Sequence, residues 1–268
     1  MSEREHKFIP HKGKVESEVL PNSFEAVLAN YQGVMECDLV LLKDGNIAIV
    51  HPRDVGKSVE DIEALDLDGL EQESIPSDDP ERYGRAIPLL PELAGFASDT
   101  DTRLMMELKA SDKEHAFAVA QKAIEQLKKM NEAGAFASHP EFVDKGFLFQ
   151  STSAEVLAHL QECADEAGIA VATNFALPTD EGWAAKTPVF DGEAMKEFPD
   201  EMDWTQKGLE HAKEHGIKEI EFDSRLITPE LVNKAHDAGM KIGSGLVKDE
   251  ARKQELEAMG VDYVLFEA

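Results

Sequence analysis

Apolar and polar positions alternate along this chain in two rhythms. Short apolar runs at residues 8–10, 34–42, 47–50, 104–108, 146–149, 169–173, 219–222, 240–242 and 263–266 have the length of buried strands. Between them lie stretches with the helical period, at 22–30, 113–130, 154–166, 205–214, 229–237 and 249–259. Asn22 and Ser23 stand where the first helix needs an N-cap, with Phe24, Val27 and Leu28 expected on one face, and Thr228 is placed to cap 229–237. Gly168, Gly216, Gly239 and Gly260 follow helical stretches, where a left-handed cap is wanted. Lys43-Asp44-Gly45-Asn46 breaks one apolar run with turn chemistry before the strand resumes at 47–50.

Strands that alternate with helices imply a parallel sheet covered by helices. The number of units predicts an α/β fold of the (β/α)₈ TIM-barrel type rather than an open doubly wound sheet. The length agrees: the chain has 268 residues, and such barrels typically need about 250. No Gly-x-Gly-x-x-Gly follows the first strand, which disfavours a dinucleotide-binding fold. A single domain over residues 1–268 is expected. Residues 52–87 are irregular and polar apart from a helical patch near 59–67, and read as an insertion above the barrel; residues 176–203 read as a long loop. Long loops after barrel strands tend to shape substrate pockets.

Charge narrows the partners. The formal net charge is −27 and the pI near 4.6, so the surface repels nucleic acid and anionic lipid. A small-molecule substrate or a cationic partner is expected. No run of 18 apolar residues exists, so stable membrane insertion is not expected. Residues 1–7 are charged and lack an apolar signal segment, and the expectation is a soluble, cytoplasmic protein. Cys37 and Cys163 form neither a metal-like pair nor a disulfide framework, and read as small buried apolar residues. Oligomeric state is left open.

The residues able to do chemistry gather near the ends of predicted strands. His11 follows the first strand, Glu36 and Asp38 lie two apart on the second and so share a face, His51 ends the strand after the Lys43–Asn46 turn, and Glu107 and Lys109 lie two apart near the end of the next. In a barrel these ends converge on one mouth. Three carboxylates in one pocket repel unless a hard divalent cation joins them. Two histidines can divide general base and general acid roles. Lys12 and Lys109 add positive charge for an anionic substrate.

In their order these segments resemble the glycerophosphodiester phosphodiesterase family. His11-Lys12-Gly13 resembles that family's opening His-Arg-Gly, and Leu20-Pro21-Asn22-Ser23 its Pro-Glu-Asn-Thr. Glu36-Cys37-Asp38, Lys43-Asp44-Gly45 and the strand ending in His51 follow its Glu-x-Asp, Lys-Asp-Gly and His-Asp. Ile87-Pro88-Leu89-Leu90-Pro91-Glu92, Glu107-Leu108-Lys109 and the closing Gly260-Val261-Asp262-Tyr263 continue the match. The resemblance implies that His11 and His51 are the acid/base pair. It implies that Glu36, Asp38 and Glu107 hold Mg²⁺ or Ca²⁺, and that Lys12 and Lys109 face the phosphate. The implied reaction releases an alcohol and glycerol 3-phosphate from a glycerophosphodiester.

Four positions depart from the family pattern. Lys12 stands for arginine, and Pro21 for the glutamate before Asn22. Pro52 replaces the aspartate after the second histidine, so His51 is expected to be less firmly oriented. Ile242-Gly243-Ser244-Gly245 stands near the family's Trp-Thr-Val-Asn, so an aromatic wall is expected to be missing from the pocket. Two alternatives follow: a related enzyme that forms a cyclic phosphate by internal attack, and a non-catalytic barrel that binds a phosphate ligand.

Overall fold

A computed structural model describes residues 8–13, 21–31, 33–73, 87–137, 142, 147–177, 189, 191 and 201–266. Leu20, Gly146, residues 74–86 of the expected insertion and most of the expected loop at 178–200 lie outside the described residues.

Among the described residues, nine strands form one curled sheet. They are β1 (Phe8–Pro10), β2 (Val34–Leu41), β3 (Ile47–Ile49), β4 (Arg103–Lys109), β5 (Phe147–Ser151), β6 (Ala172–Ala176), β7 (Glu219–Phe222), β8 (Lys241–Val247) and β9 (Tyr263–Phe266). The order is β1-β9-β8-β7-β6-β5-β4-β2-β3, and each pair is parallel except the β2–β3 hairpin. The sheet curls until β1 lies against β2. There the Lys12 N–H donates to Glu36 Oε2 at 2.6 Å. The architecture is the (β/α) barrel that the alternating pattern predicts.

Helices follow the strands: α1 (Phe24–Ala29), α2 (Val59–Glu63), α3 (Leu67–Glu71), α4 (Leu90–Asp99), α5 (Lys113–Glu132), α6 (Ala154–Ala167), α7 (Glu201–Glu214), α8 (Pro229–Asp237) and α9 (Glu250–Met259). The main core lies between sheet and helices, where Met106, Phe149, Phe175, Ile220 and Ile242 meet Ala120, Leu127, Leu157 and Val232. A smaller core of Ile9, Met105, Tyr263 and Leu265 fills the barrel's interior. Burying such side chains contributes roughly 1.5–3 kcal/mol each relative to exposure.

Several expected boundaries move. Leu28 does not join the buried face of α1; it is 56% exposed, and Ala26 and Val27 make the contact. The strand expected at 169–173 begins instead at Ala172. Ile169 is buried just after α6, its N–H bonded to Ala164 O. The patch at 59–67 is two short helices, α2 and α3, each with its own acceptor cap, Ser58 and Asp66. The 90–99 stretch, not read as helical, forms α4, because Pro91 suits a first turn and Glu92 bonds back to the Leu89 N–H. Cys37 is buried, Cys163 half-buried, and neither is in a disulfide.

Candidate active site

The site is built on strand alternation. Residues two apart on a strand share a face. The register sets Asp38 beside Glu107, Glu107 beside Gln150, and Gln150 beside Asn174. A polar ring therefore runs around the barrel interior, one level above the apolar layer of Met105, Leu148 and Tyr263. Glu36 and Asp38 sit in the middle of β2 rather than at its end. The strand continues past the mouth into the Lys43–Asn46 turn, where Gly45 takes φ 87°. Because β3 returns antiparallel, Val50 N–H bonds Asp38 O at 3.0 Å and brings His51 back to the level of the acids.

Lys12 and Gly13 both adopt left-handed backbone, at φ 53° and 71°. That conformation turns the Lys12 N–H toward Glu36, and it brings His11 Nε2 to 3.9 Å from Glu36 Oε2. Gly13 is needed here for space as well: a Cβ would come within 2.6 Å of Ala26 Cβ. Asn30 of the α1 cap secures the turn by donating to Gly13 O.

Glu36, Asp38 and Glu107 each bring one oxygen to a common point, within 4.8 Å of one another. Glu36 Oε1 and Asp38 Oδ1 are buried and lack a hydrogen bond. Lys109 Nζ lies 2.5 Å from Glu107 Oε1 and 3.3 Å from Asp38 Oδ1. Burial, with Asp38 and Glu107 adjacent, pushes the Glu36 carboxyl well above the usual carboxylate range. Burial also raises Glu107, with Asp38 adding to the effect against Lys109. Asp38 goes the other way: against burial, Lys109, His51 and Asn22 hold its carboxyl down. Lys109 stays firmly protonated because Glu107 and Asp38 outweigh its burial. Three carboxylates converging at this spacing, with one lysine between two of them and Glu36 Oε1 buried without a hydrogen bond, suit a hard divalent cation with oxygen ligands, so the residues fit the metal that the sequence implies.

His51 is held more firmly than the loss of the aspartate at Pro52 suggests. Pro52 opens a 3-10 turn, Pro52–Val55, and the Arg53 N–H donates to His51 Nδ1 at 3.2 Å. Nδ1 is thereby an acceptor, leaving Nε2 as the ring's other polar atom. Burial, reinforced by Lys109 and Lys12, lowers the His51 pKa to about 4. The same turn carries Asp54, which accepts from Lys12 Nζ at 2.7 and 2.9 Å. The carboxylate missing at position 52 is supplied two residues later, to Lys12.

All seven residues singled out from the sequence, His11, Lys12, Glu36, Asp38, His51, Glu107 and Lys109, come together at one mouth. A cleft of about 260 Å³ opens beside them, lined by His11, Glu107, Lys109, Gln150, Glu221 and Gly245. Gly245 and Leu246 line the cleft on β8, but the cleft is not without an aromatic residue, since Phe222 of β7 also lines it. Four contributors were not singled out as site residues: Asp54, Asn22 beyond its capping role, Gln150 and Glu221. Glu219-Ile220-Glu221 repeats the acid-x-acid spacing of Glu36-Cys37-Asp38, and that signal was available. Burial and Glu107 raise the Glu221 pKa to about 8, against Gln150 and Asn174.

A family model for the glycerophosphoryl diester phosphodiesterase family matches residues 21–267. The chain belongs to this family. It is accordingly a phosphoric diester hydrolase. A phosphodiesterase from Oleispira antarctica, solved with the product sn-glycerol-3-phosphate, is similar to this chain at 21% identity. That match covers 97% of this chain and 92% of the other, with a TM-score of 0.69. A glycerophosphodiester phosphodiesterase from Parabacteroides distasonis superposes over the same shares at 18% identity and TM-score 0.69. One from Thermotoga maritima covers 97% and 93% at 15% identity and TM-score 0.57. At such identities these structures share the barrel fold. No curated protein matches the sequence. The His11-Lys12-Gly13 turn precedes the matched segment, so its place in the site rests on the geometry above.

Proposed function

We propose that this protein hydrolyses a glycerophosphodiester to an alcohol and glycerol 3-phosphate, with His11 and His51 as its acid/base pair. The observation that carries the reading is the meeting of Glu36, Asp38 and Glu107 within 4.8 Å, with the Lys109 ammonium against two of them. A bound Mg²⁺ or Ca²⁺ would neutralise these carboxylates and supply positive charge to the phosphoryl oxygens. Lys109 and Lys12 attract the phosphodiester anion. Lys12 is tethered by Asp54, so its ammonium has a defined direction despite lacking arginine's fork.

One histidine of the pair takes a proton from the attacking water, whose oxygen bonds to phosphorus as the ester P–O bond breaks, and the departing alkoxide takes a proton from the other. Burial lowers the His51 pKa to about 4, so its resting form is the neutral imidazole. Groups of this kind typically contribute roughly 10²- to 10⁴-fold in rate. The Oleispira protein, solved with sn-glycerol-3-phosphate, supports glycerol 3-phosphate as the released product.

The test is turnover of sn-glycero-3-phosphocholine with Mg²⁺, Ca²⁺ or Mn²⁺, followed by phosphorus NMR. Glycerol 3-phosphate as the first phosphorus product supports the reading. A cyclic phosphate that accumulates first points to internal attack. Tight metal binding with no turnover of this or other glycerophosphodiesters overturns the proposal in favour of a binding barrel.

A further inference from the structure

The two histidines ride on separate turns. His11 belongs to the turn after β1, where the backbone is held on both sides of Lys12. The Lys12 N–H donates to Glu36 Oε2 at 2.6 Å, and the Lys12 carbonyl accepts from the Asn22 N–H at 3.0 Å. His51 opens the 3-10 turn after β3, where the Asp54 N–H donates to the His51 carbonyl at 2.9 Å and the Arg53 N–H donates to His51 Nδ1. β1 and β3 stand at opposite ends of the strand order, and no ladder among the described strands pairs them. What joins the two turns directly is a side-chain pair: Lys12 Nζ donates to both carboxylate oxygens of Asp54, at 2.7 and 2.9 Å. Exposed lysine–carboxylate pairs hold little. This one is shielded, with side chains only 13% and 23% exposed. The same ammonium acts electrostatically on Asp38, His51 and Glu107, so it faces the site while Asp54 holds it.

We propose that Asp54 is a positioning residue for the hydrolysis: its ion pair with Lys12 is a strut between the two histidine-bearing turns, holding the Lys12 ammonium toward the phosphoryl group and fixing the separation of His11 and His51 across it. The inference rests on the phosphodiesterase reading of this mouth. A lysine ends in a compact charge on a flexible four-carbon stem. With its backbone fixed, only the side-chain torsions remain free, and Asp54 removes that freedom. An ammonium has three N–H donors. Asp54 engages two, and the third is left for a phosphoryl oxygen. Asp54 itself touches neither substrate nor metal; it acts through Lys12. Without the carboxylate the ammonium spreads over many rotamers, and the turns that carry the acid/base pair lose their direct link.

A double-mutant cycle on the Mg²⁺-loaded protein tests the strut, with sn-glycero-3-phosphocholine as substrate. Asp54→Asn keeps the shape and removes the charge, and should lower kcat/KM by about tenfold or more, as small misplacements of reacting groups do. Asp54→Glu keeps the charge and should stay within about threefold of wild type. In the Lys12→Met background, Asp54→Asn should cost less than about twofold, because its effect runs through the lysine. Mn²⁺ affinity should be unchanged in Asp54→Asn, since Asp54 lies outside the acid cluster. Calorimetric binding of inorganic phosphate repeats the cycle without turnover: Asp54→Asn should weaken it at least about threefold with Lys12 present and not in Lys12→Met. Circular dichroism checks the fold, and Asp54→Ser replaces Asp54→Asn in both cycles if the latter does not fold. The same fold-loss in both lysine backgrounds, or near wild-type turnover in Asp54→Asn, overturns the strut while leaving phosphodiester hydrolysis standing. A wild type that turns over no glycerophosphodiester but shows the coupling in phosphate binding overturns the function and leaves the strut.

Discussion

Asn22 grips Asp38 twice. Its Nδ2 donates to Asp38 Oδ2 at 3.0 Å, and the Asp38 N–H donates to Asn22 Oδ1 at 3.1 Å. Asn22 reaches across from the segment before α1 in left-handed backbone, φ 54°, a conformation asparagine tolerates better than most residues. Ser23, not Asn22, caps α1. The side chain of Asn22 thus serves the acid cluster: one carboxylate oxygen is occupied, and Asp38 Oδ1 is left for the centre. Partners of metal ligands typically contribute roughly 10- to 100-fold in affinity. Asn22→Ala should weaken Mn²⁺ binding by about that factor, measured by calorimetry. Asp38→Ala and Glu107→Ala should weaken it further with the fold kept. Unchanged affinity in all three would place the cation elsewhere.

His51 links pH to stability with a definite sign. Its pKa falls from an ordinary value of about 6.5 to about 4 in the folded protein. Between those values the unfolded chain binds more protons than the folded one, so this contribution is full above about pH 6.5 and is lost as pH falls toward 4. His51→Ala removes it. The difference in melting temperature, wild type minus variant, should shrink steadily from pH 7 to pH 4 in metal-free buffer. A flat difference across that window means that the imidazole is not held in its neutral form.

Asp191 ties a remote stretch of chain to the barrel. Its carboxylate accepts from Ser153 Oγ, Ala154 N–H and Lys113 Nζ at 2.6, 2.7 and 3.1 Å, and lies 3.1 Å from His211 Nε2. It sits at the N-terminus of α6, where negative charge is favoured. Despite burial, His211, Ser153 and Lys113 lower its pKa to about 2. This stability is present above the ordinary aspartate pKa and is lost as pH falls through about 2. Asp191→Ala leaves buried donors unmatched and should cost roughly 2–4 kcal/mol, read by urea unfolding at pH 7. A cost below about 1 kcal/mol would show that the network is dispensable.

Gly243 and Tyr263 are register partners on β8 and β9, and they divide one volume unequally. A Cβ on Gly243 would lie 2.0 Å from the Tyr263 ring. Gly243→Ala should therefore destabilise by roughly 1–3 kcal/mol through overpacking. Adding Tyr263→Ala should give a double variant better than the sum of the single effects. Strict additivity in that thermal-unfolding cycle would rule out the contact.

Much of the site was legible because its residues obey local rules. Glu36-Cys37-Asp38 and Glu107-Leu108-Lys109 present charged side chains at strand period, and strand period alone assigns them to one face. The Lys43–Asn46 turn announces a hairpin, and that hairpin delivers His51. Asp54 was not legible, since its partner Lys12 is 42 residues away in sequence and nothing in a Pro-Arg-Asp-Val string names a lysine. Gln150 and Asn174 look like ordinary strand polar residues until the register aligns them with Glu107. Leu28 carried the right period and still faces outward, because α1 is only six residues long and packs through its smaller side chains.

Alternating strands and helices, the class of the barrel and the candidate histidines and carboxylates of the site are legible in the sequence by itself. Each depends on local periodicity, composition or a short motif, and those survive whatever the chain does at long range. The meeting of three carboxylates, the tautomer of His51, the tether on Lys12 and the bond from Gln150 to Glu221 belong to the tertiary structure. They depend on strand register and on barrel closure, which place residues from distant segments at the same level. Burial then decides which of those charges are held down, raised or left for a ligand.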